Sequence, residues 1–298
     1  MQTACKTVFR MNIISRSEFV QLRGLRYHVR RWGSANAPAL FLLHGWLDVS
    51  ATFHDLVQPL LPDWQVLAPD WRGFGLSEWP QDGYWFMDYL GDLEALLDHY
   101  APAGAVRLIG HSLGAQIASI YAGLRPARVE ALALLDGLFM PDQPPEQAPK
   151  KQRQWLDELR DAPRDQHYAG YEQLAERIRR LHPRLTPERA LFVAQGWGVE
   201  RPDGRIGLCA DPRHRRVFPV LYRAAESKAV WSDVTARTLF VDAGKSELRS
   251  MISAQERAER LACFRDRRET VIADCAHMLH FEAPDQTAAL LRSFFAAR

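Results

Sequence analysis

Residues 108–116 read Leu-Ile-Gly-His-Ser-Leu-Gly-Ala-Gln, which places Ser112 inside a G-x-S-x-G motif directly after an apolar run. Val106, Arg107, Leu108 and Ile109 have the composition of a buried strand end, and residues 115–124, rich in small side chains, predict a helix. A strand, a tight turn and a helix are what a nucleophile elbow requires. Gly110 and Gly114 remove Cβ atoms where strand and helix come close, and such a turn forces the serine into a strained backbone conformation. The competing reading is a glycine-flanked serine in an ordinary βα loop, so the rest of the chain has to decide.

Outward from this motif the pattern is one of strands and helices in turn. Residues 19–22 and 25–32 read as two strands joined at Arg23-Gly24, and residues 39–43 as a short apolar strand ending at His44-Gly45-Trp46-Leu47. Residues 64–68 form another, followed by Pro69-Asp70-Trp71-Arg72-Gly73-Phe74-Gly75-Leu76-Ser77. Residues 84–100 carry Leu90, Leu93, Leu96 and Leu97 at helical spacing, and residues 129–135 return to strand. This predicts an α/β fold with a mainly parallel, doubly wound sheet. From 137 to 234 the alternation stops: residues 152–160, 171–181 and 187–196 are helical in pattern, punctuated by prolines such as Pro144, Pro163 and Pro187. Strands return at 238–241 and 270–273, and 286–295 reads as a closing helix. The predicted organisation is a flexible leader over 1–18, a core domain built from 19–136 and 235–298, and a mostly helical cap over 137–234 inserted late in the sheet. No internal repeat or low-complexity tract interrupts it.

Composition narrows the function. A chain of 298 residues, 47% hydrophobic and 25% charged, has ample material for one large core. Its net charge is only +2, from 38 basic against 36 acidic side chains. Clusters such as Arg213-His214-Arg215-Arg216 are short and set among acids, so they read as solvated faces, and no nucleic-acid partner is expected. Cys5, Cys209, Cys263 and Cys275 show no C-x-x-C pair and no metal-ligand spacing; they read as reduced thiols of a cytoplasmic protein without a metal. No apolar run approaches the ~20 residues of a membrane span. Lys6, Arg10 and Arg16, with no acid before Glu18, raise a transit peptide, but the segment lacks amphipathic order and reads as a floppy leader. The expected partner is a small-molecule substrate.

A serine hydroxyl needs a base within hydrogen-bond reach. His277, just after the last strand in Asp274-Cys275-Ala276-His277-Met278-Leu279-His280, is placed to swing over the strand ends where Ser112 sits. Alone it would be a surface-loop histidine; with the elbow it reads as catalytic. His280 reads as packing or hydrogen bonding. The imidazole in turn needs an acid. Asp136 ends an apolar strand, and Glu247 lies in the turn after the next strand; Asp136 is preferred, because an ionised carboxylate there is costly unless paired. Oxyanion donors are expected from the backbone N–H groups of Leu113 and Trp46, with His44 bracing the loop. Trp46, His111, Phe139 and Trp155 are candidate pocket residues. Trp155, Phe192, Trp197, Phe218 and Trp231 of the insertion read first as its own core.

With these residues in order, the chain resembles the α/β-hydrolase superfamily, nearest in character to its serine-hydrolase-like and meta-cleavage-product hydrolase groups. Asp70-Trp71-Arg72-Gly73-Phe74-Gly75-Leu76-Ser77 is similar to the family's D-x-R-G-x-G-x-S loop, and residues 277–284 to its H-x-x-x-x-E-x-P ending. The resemblance covers about residues 19–296. It implies a cofactor-free serine hydrolase that forms an acyl-enzyme on a small apolar ester, thioester, lactone or carbon–carbon substrate. Three positions depart from the pattern: Glu247 stands where the family's commoner acid is aspartate, and Ala115 and Ala276 replace frequent glycines. Ser112 argues against the epoxide hydrolases and haloalkane dehalogenases, which use an aspartate nucleophile. Two other classes stay open. A cofactor-independent dioxygenase of the quinolone ring-opening kind shares the H-G-W loop but carries histidine where Leu113 stands. A hydrolase-derived receptor would bind its ligand with little turnover.

Overall fold

The computed structural model describes residues 14–61, 63–163 and 165–296. In chain order the strands are β1 (Arg16–Leu22), β2 (Leu25–Trp32), β3 (Ala39–Leu43), β4 (Gln65–Pro69), β5 (Val106–His111), β6 (Val129–Leu135), β7 (His167–Tyr168), β8 (Gly198–Glu200), β9 (Ile206–Leu208), β10 (Arg237–Ala243) and β11 (Arg267–Ile272). The helices are α1 (His54–Val57), α2 (Phe86–Tyr100), α3 (Leu113–Leu124), α4 (Ala148–Glu158), α5 (Tyr171–Leu181), α6 (Pro187–Trp197), α7 (Ala224–Trp231), α8 (Ala254–Ala262), α9 (Leu279–Glu282) and α10 (Pro284–Ala296).

An eight-stranded sheet runs in the order β1-β2-β4-β3-β5-β6-β10-β11. β2 is antiparallel to both of its neighbours, and every other pairing is parallel. Side chains alternate across the central strands, as the pleat requires. On β3, Phe41 and Leu43 face one core, where Leu67, Leu108 and Leu132 meet α2 and α3. Leu40 and Leu42 face the other, with Ile109, Ala133 and Val241 against α1 and α10. Strands covered on both faces read as continuous apolar runs, which is why residues 39–43 and 129–135 carried so clear a signal. The open edge, β11, begins Arg-Arg-Glu, and such charges blunt edge-to-edge pairing.

The chain leaves the sheet after β6 and re-enters at β10. The intervening stretch holds α4 to α7 and also a three-stranded sheet of order β7-β9-β8, which the helical pattern gave no hint of. Its strands are two or three residues long, too short for a period-2 signal. Leu174, Ile178, Leu185, Val193 and Ile206 form its own core, to which Met278 and Phe281 of the closing segment contribute. At the other end, Arg16, Ser17 and Glu18 pair with Arg31, Arg30 and Val29, so the leader expected over 1–18 does not include them. Their polar side chains, two exposed and Glu18 half-buried, carried no strand signal; β2 recruits them through the backbone. Residues 1–13 lie outside the described residues. No helix among the described residues is long and apolar enough to cross a membrane.

Candidate active site

Ser112 sits between β5 and α3 with φ 52° and ψ −112°, a backbone conformation that costs on the order of 1–3 kcal/mol for a residue with a side chain. Close packing imposes the turn. A Cβ added at Gly114 would collide with the Leu43 carbonyl oxygen and stand 2.9 Å from that of His44. The β3 loop is equally tight against the serine: a Cβ at Gly45 would lie 2.9 Å from His111 Nδ1 and 3.1 Å from Ser112 Cβ. The Ser112 N–H donates to Leu135 O at 3.1 Å, tying the turn to the neighbouring strand.

Ser112 Oγ lies 3.0 Å from His277 Nε2, and His277 Nδ1 lies 2.7 Å from Asp136 Oδ2. The tautomer that suits both contacts carries its proton on Nδ1, donates to the carboxylate and accepts from the hydroxyl. Asp136 is fully buried. Its second oxygen accepts the Ala243 N–H at 2.9 Å, and its own N–H donates to Val241 O at 2.9 Å. The carboxylate is thereby fixed to the end of β10 as well as to His277. Nearby, Arg257 reaches Asp242 at 2.6 Å and donates to Gly137 O at 3.0 Å. A hydroxyl, an imidazole and a buried carboxylate in this chain are an arrangement in which the imidazole can take the hydroxyl proton and stay oriented while it does.

Of the two carboxylates the sequence offered, Asp136 meets His277. Glu247 is exposed at the head of a short 3-10 turn and makes no ion pair with His277, whose carboxylate partner is Asp136. Leu113 is the first residue of α3, where a backbone N–H has no intrahelical acceptor. Among the described residues the Trp46 N–H has no protein acceptor either. His44 braces its loop: Nε2 accepts the Trp71 N–H at 2.9 Å, and His44 O accepts the Trp71 indole N–H at 3.1 Å. Burial keeps its pKa below the ordinary value, as a neutral acceptor requires.

A cavity of about 260 Å³ opens beside His277, walled by Trp46, Tyr168, Leu174, Ile178, Trp197 and Met278. The pocket residues proposed from sequence fall in different places. Trp46 lines this cavity. His111 is buried beneath it, Nε2 donating to His277 O at 2.9 Å. Phe139 is buried under the Arg257 guanidinium, 4.4 Å from the ring centre. Trp155 faces Trp85, Pro219 and Val220 in a separate open groove. The amphipathic pattern of α4 says that Trp155 faces protein, but not which protein surface. Trp231 is a core residue, its indole N–H donating to Ser119 Oγ at 2.9 Å.

Sequence reasoning passed over Asp48. It lies at the floor of the cavity, fully buried, accepting Trp197 Nε1 at 2.8 Å and Thr52 Oγ1 at 2.9 Å, with His280 Nε2 at 3.0 Å. Burial alone would push its carboxyl up, but His280, His44 and the Trp197 indole outweigh it and hold it well below the usual range. His111 is packed between the His277 and His280 rings, with centroids 4.6 and 4.7 Å away. Burial, reinforced by those two rings, holds it neutral. Asp48, His111 and His280 bring ligand-type atoms within 4.8 Å of one another, with Asp48 Oδ2 3.0 Å from His280 Nε2. Its signal was the spacing Asp48-x-x-x-Thr52, an i,i+4 pair opening a helical turn. Cys209 also lines the cavity, but burial pushes its thiol up to about 12, which leaves no thiolate at neutral pH.

A family model described as alpha/beta hydrolase fold matches residues 38–284. The chain belongs to the α/β-hydrolase fold family. This α/β-hydrolase is similar to a serine hydrolase-like protein of Danio rerio, 26% identical over 273 residues, which are 88% of this chain and 83% of that one. A solved structure of a hypothetical protein from Pseudomonas aeruginosa PAO1 superposes with a TM-score of 0.81 at 26% identity, over 94% of this chain and 98% of that chain. The thioesterase domain from the curacin biosynthetic pathway gives 0.85 at 21% identity, over 94% and 99%, a likeness of fold. Family membership and these likenesses make the α/β-hydrolase a hydrolase by class.

Proposed function

We propose that the chain is a serine hydrolase in which Ser112 is the nucleophile, His277 the general base and acid, and Asp136 the residue that orients and stabilises the imidazolium. The observation that carries this is the unbroken run Ser112 Oγ–His277–Asp136 at 3.0 and 2.7 Å, with the serine on a strained turn. In the reading, Oγ attacks the substrate carbonyl as its proton passes to His277 Nε2. The N–H groups of Leu113 and Trp46 receive the oxyanion, and His277 returns the proton to the departing alcohol or thiol. A water, deprotonated by His277, then cleaves the acyl–Oγ bond and frees the acid. The inserted segment acts as a cap over the cavity. At about 260 Å³ the cavity is below the ~300–1,000 Å³ of drug-sized ligand sites, which supports a small ester, thioester or lactone as substrate. A carbon–carbon substrate would use the same groups.

Labelling with a fluorophosphonate tests the assignment. The reading expects rapid covalent modification, abolished in Ser112→Ala and slowed by at least about a hundredfold in His277→Ala, as loss of a general base typically brings. A Ser112 that stays unreactive in folded protein would overturn it. The dioxygenase reading would use His277 and Asp136 to deprotonate its substrate but gives the strained serine no nucleophilic role, and Leu113 stands where that class carries histidine; the receptor reading leaves both the serine and its base without one.

A further inference from the structure

The cavity beside His277 is apolar but carries two arginines with nothing to neutralise them. On α5 the residues facing it are Leu174, Arg177, Ile178 and Leu181. That is one helical stripe, and Arg177 occupies a position in it that periodicity would give to an apolar residue. Arg215 enters the cavity lining from a 3-10 turn, Pro212–Arg215. That turn is pinned: Asp211 accepts from Tyr84 OH at 2.7 Å and from Arg213 Nε at 2.8 Å, and the His214 ring stacks on Phe74 at 3.9 Å.

The other titratable groups of the cavity each have a hydrogen-bond or close polar partner. Asp48 meets His280, His182 meets Glu282 at 2.8 Å, and His277 meets Asp136. Among the described residues neither Arg177 nor Arg215 has a carboxylate partner. The cavity therefore presents two uncompensated guanidinium groups at its rim. Both side chains are exposed, so a guanidinium's paired N–H donors, which match a carboxylate, would meet the anion at the mouth of the cavity, where the attraction is screened by salt.

Resting on the hydrolase reading above, we propose that the substrate carries a carboxylate at the end remote from its scissile carbonyl, received by Arg177 and Arg215. The apolar stripe between would hold a short hydrocarbon spacer, and Asp48, buried at the floor of the cavity, has its oxygens turned to Trp197, Thr52 and His280.

Binding can be measured without turnover, by calorimetry on the Ser112→Ala protein. Two anilides carry the anion, N-phenylglutaramate on the acyl side and 4-butyramidobenzoate on the amine side; N-phenylbutanamide is their neutral counterpart. At least one anionic anilide should bind about tenfold tighter than the neutral one, the advantage shrinking with salt. It should collapse toward unity in the double variant Arg177→Gln/Arg215→Gln. Arg180→Gln, on the same helix but outside the cavity lining, serves as the control for the general field and should leave the ratio in place. Equal binding of all three anilides, or a ratio that falls equally in Arg180→Gln, would overturn the proposal. Inorganic phosphate displacing the anilides more effectively than glutarate would overturn the carboxylate assignment. In parallel, kcat/KM for phenyl hemiglutarate and 4-carboxyphenyl butyrate is compared with that for phenyl butyrate on the unmodified enzyme. Absence of Ser112-dependent turnover with all three esters would sink the hydrolase reading, while the calorimetric ratio still decides on the anion.

Discussion

Replacing Asp136 by Asn changes one atom and should remove nearly all activity. The Ala243 N–H, 2.9 Å from Asp136 Oδ1, needs an acceptor, so the amide of an asparagine would place its oxygen there. Its NH2 would then face His277 Nδ1, 2.7 Å away in the native site. Nδ1 would have to accept, the ring proton would move to Nε2, and the nitrogen facing Ser112 Oγ could no longer take a proton. The imidazolium would also lose its buried counter-charge. Together these amount to about 10³–10⁴ in kcat, the size of effect such a substitution has in other triads, or about 4–5.5 kcal/mol of transition-state stabilisation. The assay is hydrolysis of an aryl butyrate over a range of concentrations, with thermal melting to show that the variant is folded. The expectation is a fall in kcat with little change in KM, and Glu247→Gln within about twofold of the parent. A folded Asp136→Asn keeping more than about a tenth of the activity, or a comparable fall in Glu247→Gln, would refute the reasoning.

Other outcomes follow from the packing and the charges. Gly114→Ala should give protein that is insoluble or inactive, because its Cβ meets the Leu43 and His44 carbonyls in backbone that cannot yield; a soluble variant with normal labelling of Ser112 would refute the close-approach argument. Asp92→Asn should destabilise by about 3 kcal/mol in urea unfolding. The buried carboxylate accepts Arg72 Nε and a second guanidinium N–H at 2.5 and 2.6 Å, and removing one partner leaves the other charge exposed to a poor medium. A midpoint unchanged within error would show that water replaces the partner. Stability should also fall with acid in two stages. Burial keeps His111 well below its ordinary 6.5 and His214 at about 3, so below pH 6.5 the unfolded chain binds protons that the folded chain refuses, at about 1.4 kcal/mol per pH unit for each histidine. Burial alone would raise Asp70, but its bond to His28 and neighbouring groups bring it from 3.8 to about 2, adding about 2 kcal/mol that is present above pH 4 and lost toward pH 2. Urea midpoints independent of pH from 8 to 5 would contradict the first stage.

What could be read from the sequence was set by how local its cause is. The elbow was legible because strand, glycines, serine and helix are contiguous, and each residue type there has one steric reason. The mainly parallel sheet followed from alternation, and the break at 137 from its loss; the order of the strands did not follow, since β4 inserts between β2 and β3. The preference for Asp136 over Glu247 rested on the cost of a lone carboxylate at the end of an apolar strand, a cost that the contacts to His277 and Ala243 relieve. The pocket was not legible in the same way. Trp155 and Trp197 are both tryptophans in amphipathic helices, but one faces Trp85 and the other donates to Asp48 across 149 positions of chain. Periodicity gives the direction a side chain points within its helix, not what stands opposite. Arg177 escaped notice for the converse reason: a charge in an apolar stripe looks like noise until the stripe is seen to line a cavity.

The bond from the Ala243 N–H to Asp136 has a consequence for how the enzyme is assembled and altered. It links the last residue of β10 to the residue following β6, while everything between them departs and comes back. Closing so long a loop costs only logarithmically more as the loop grows, so residues can be added to or removed from the excursion at little thermodynamic penalty, provided its two ends still meet at this bond. Ser112, Asp136 and His277 lie outside the excursion, which supplies only part of the cavity wall. A nascent polypeptide holds the serine early but lacks the acid's second anchor until residue 243 is made. Both that anchor and His277 lie C-terminal to the excursion, so the Ser112–His277–Asp136 contacts close only when residues far apart in the chain meet.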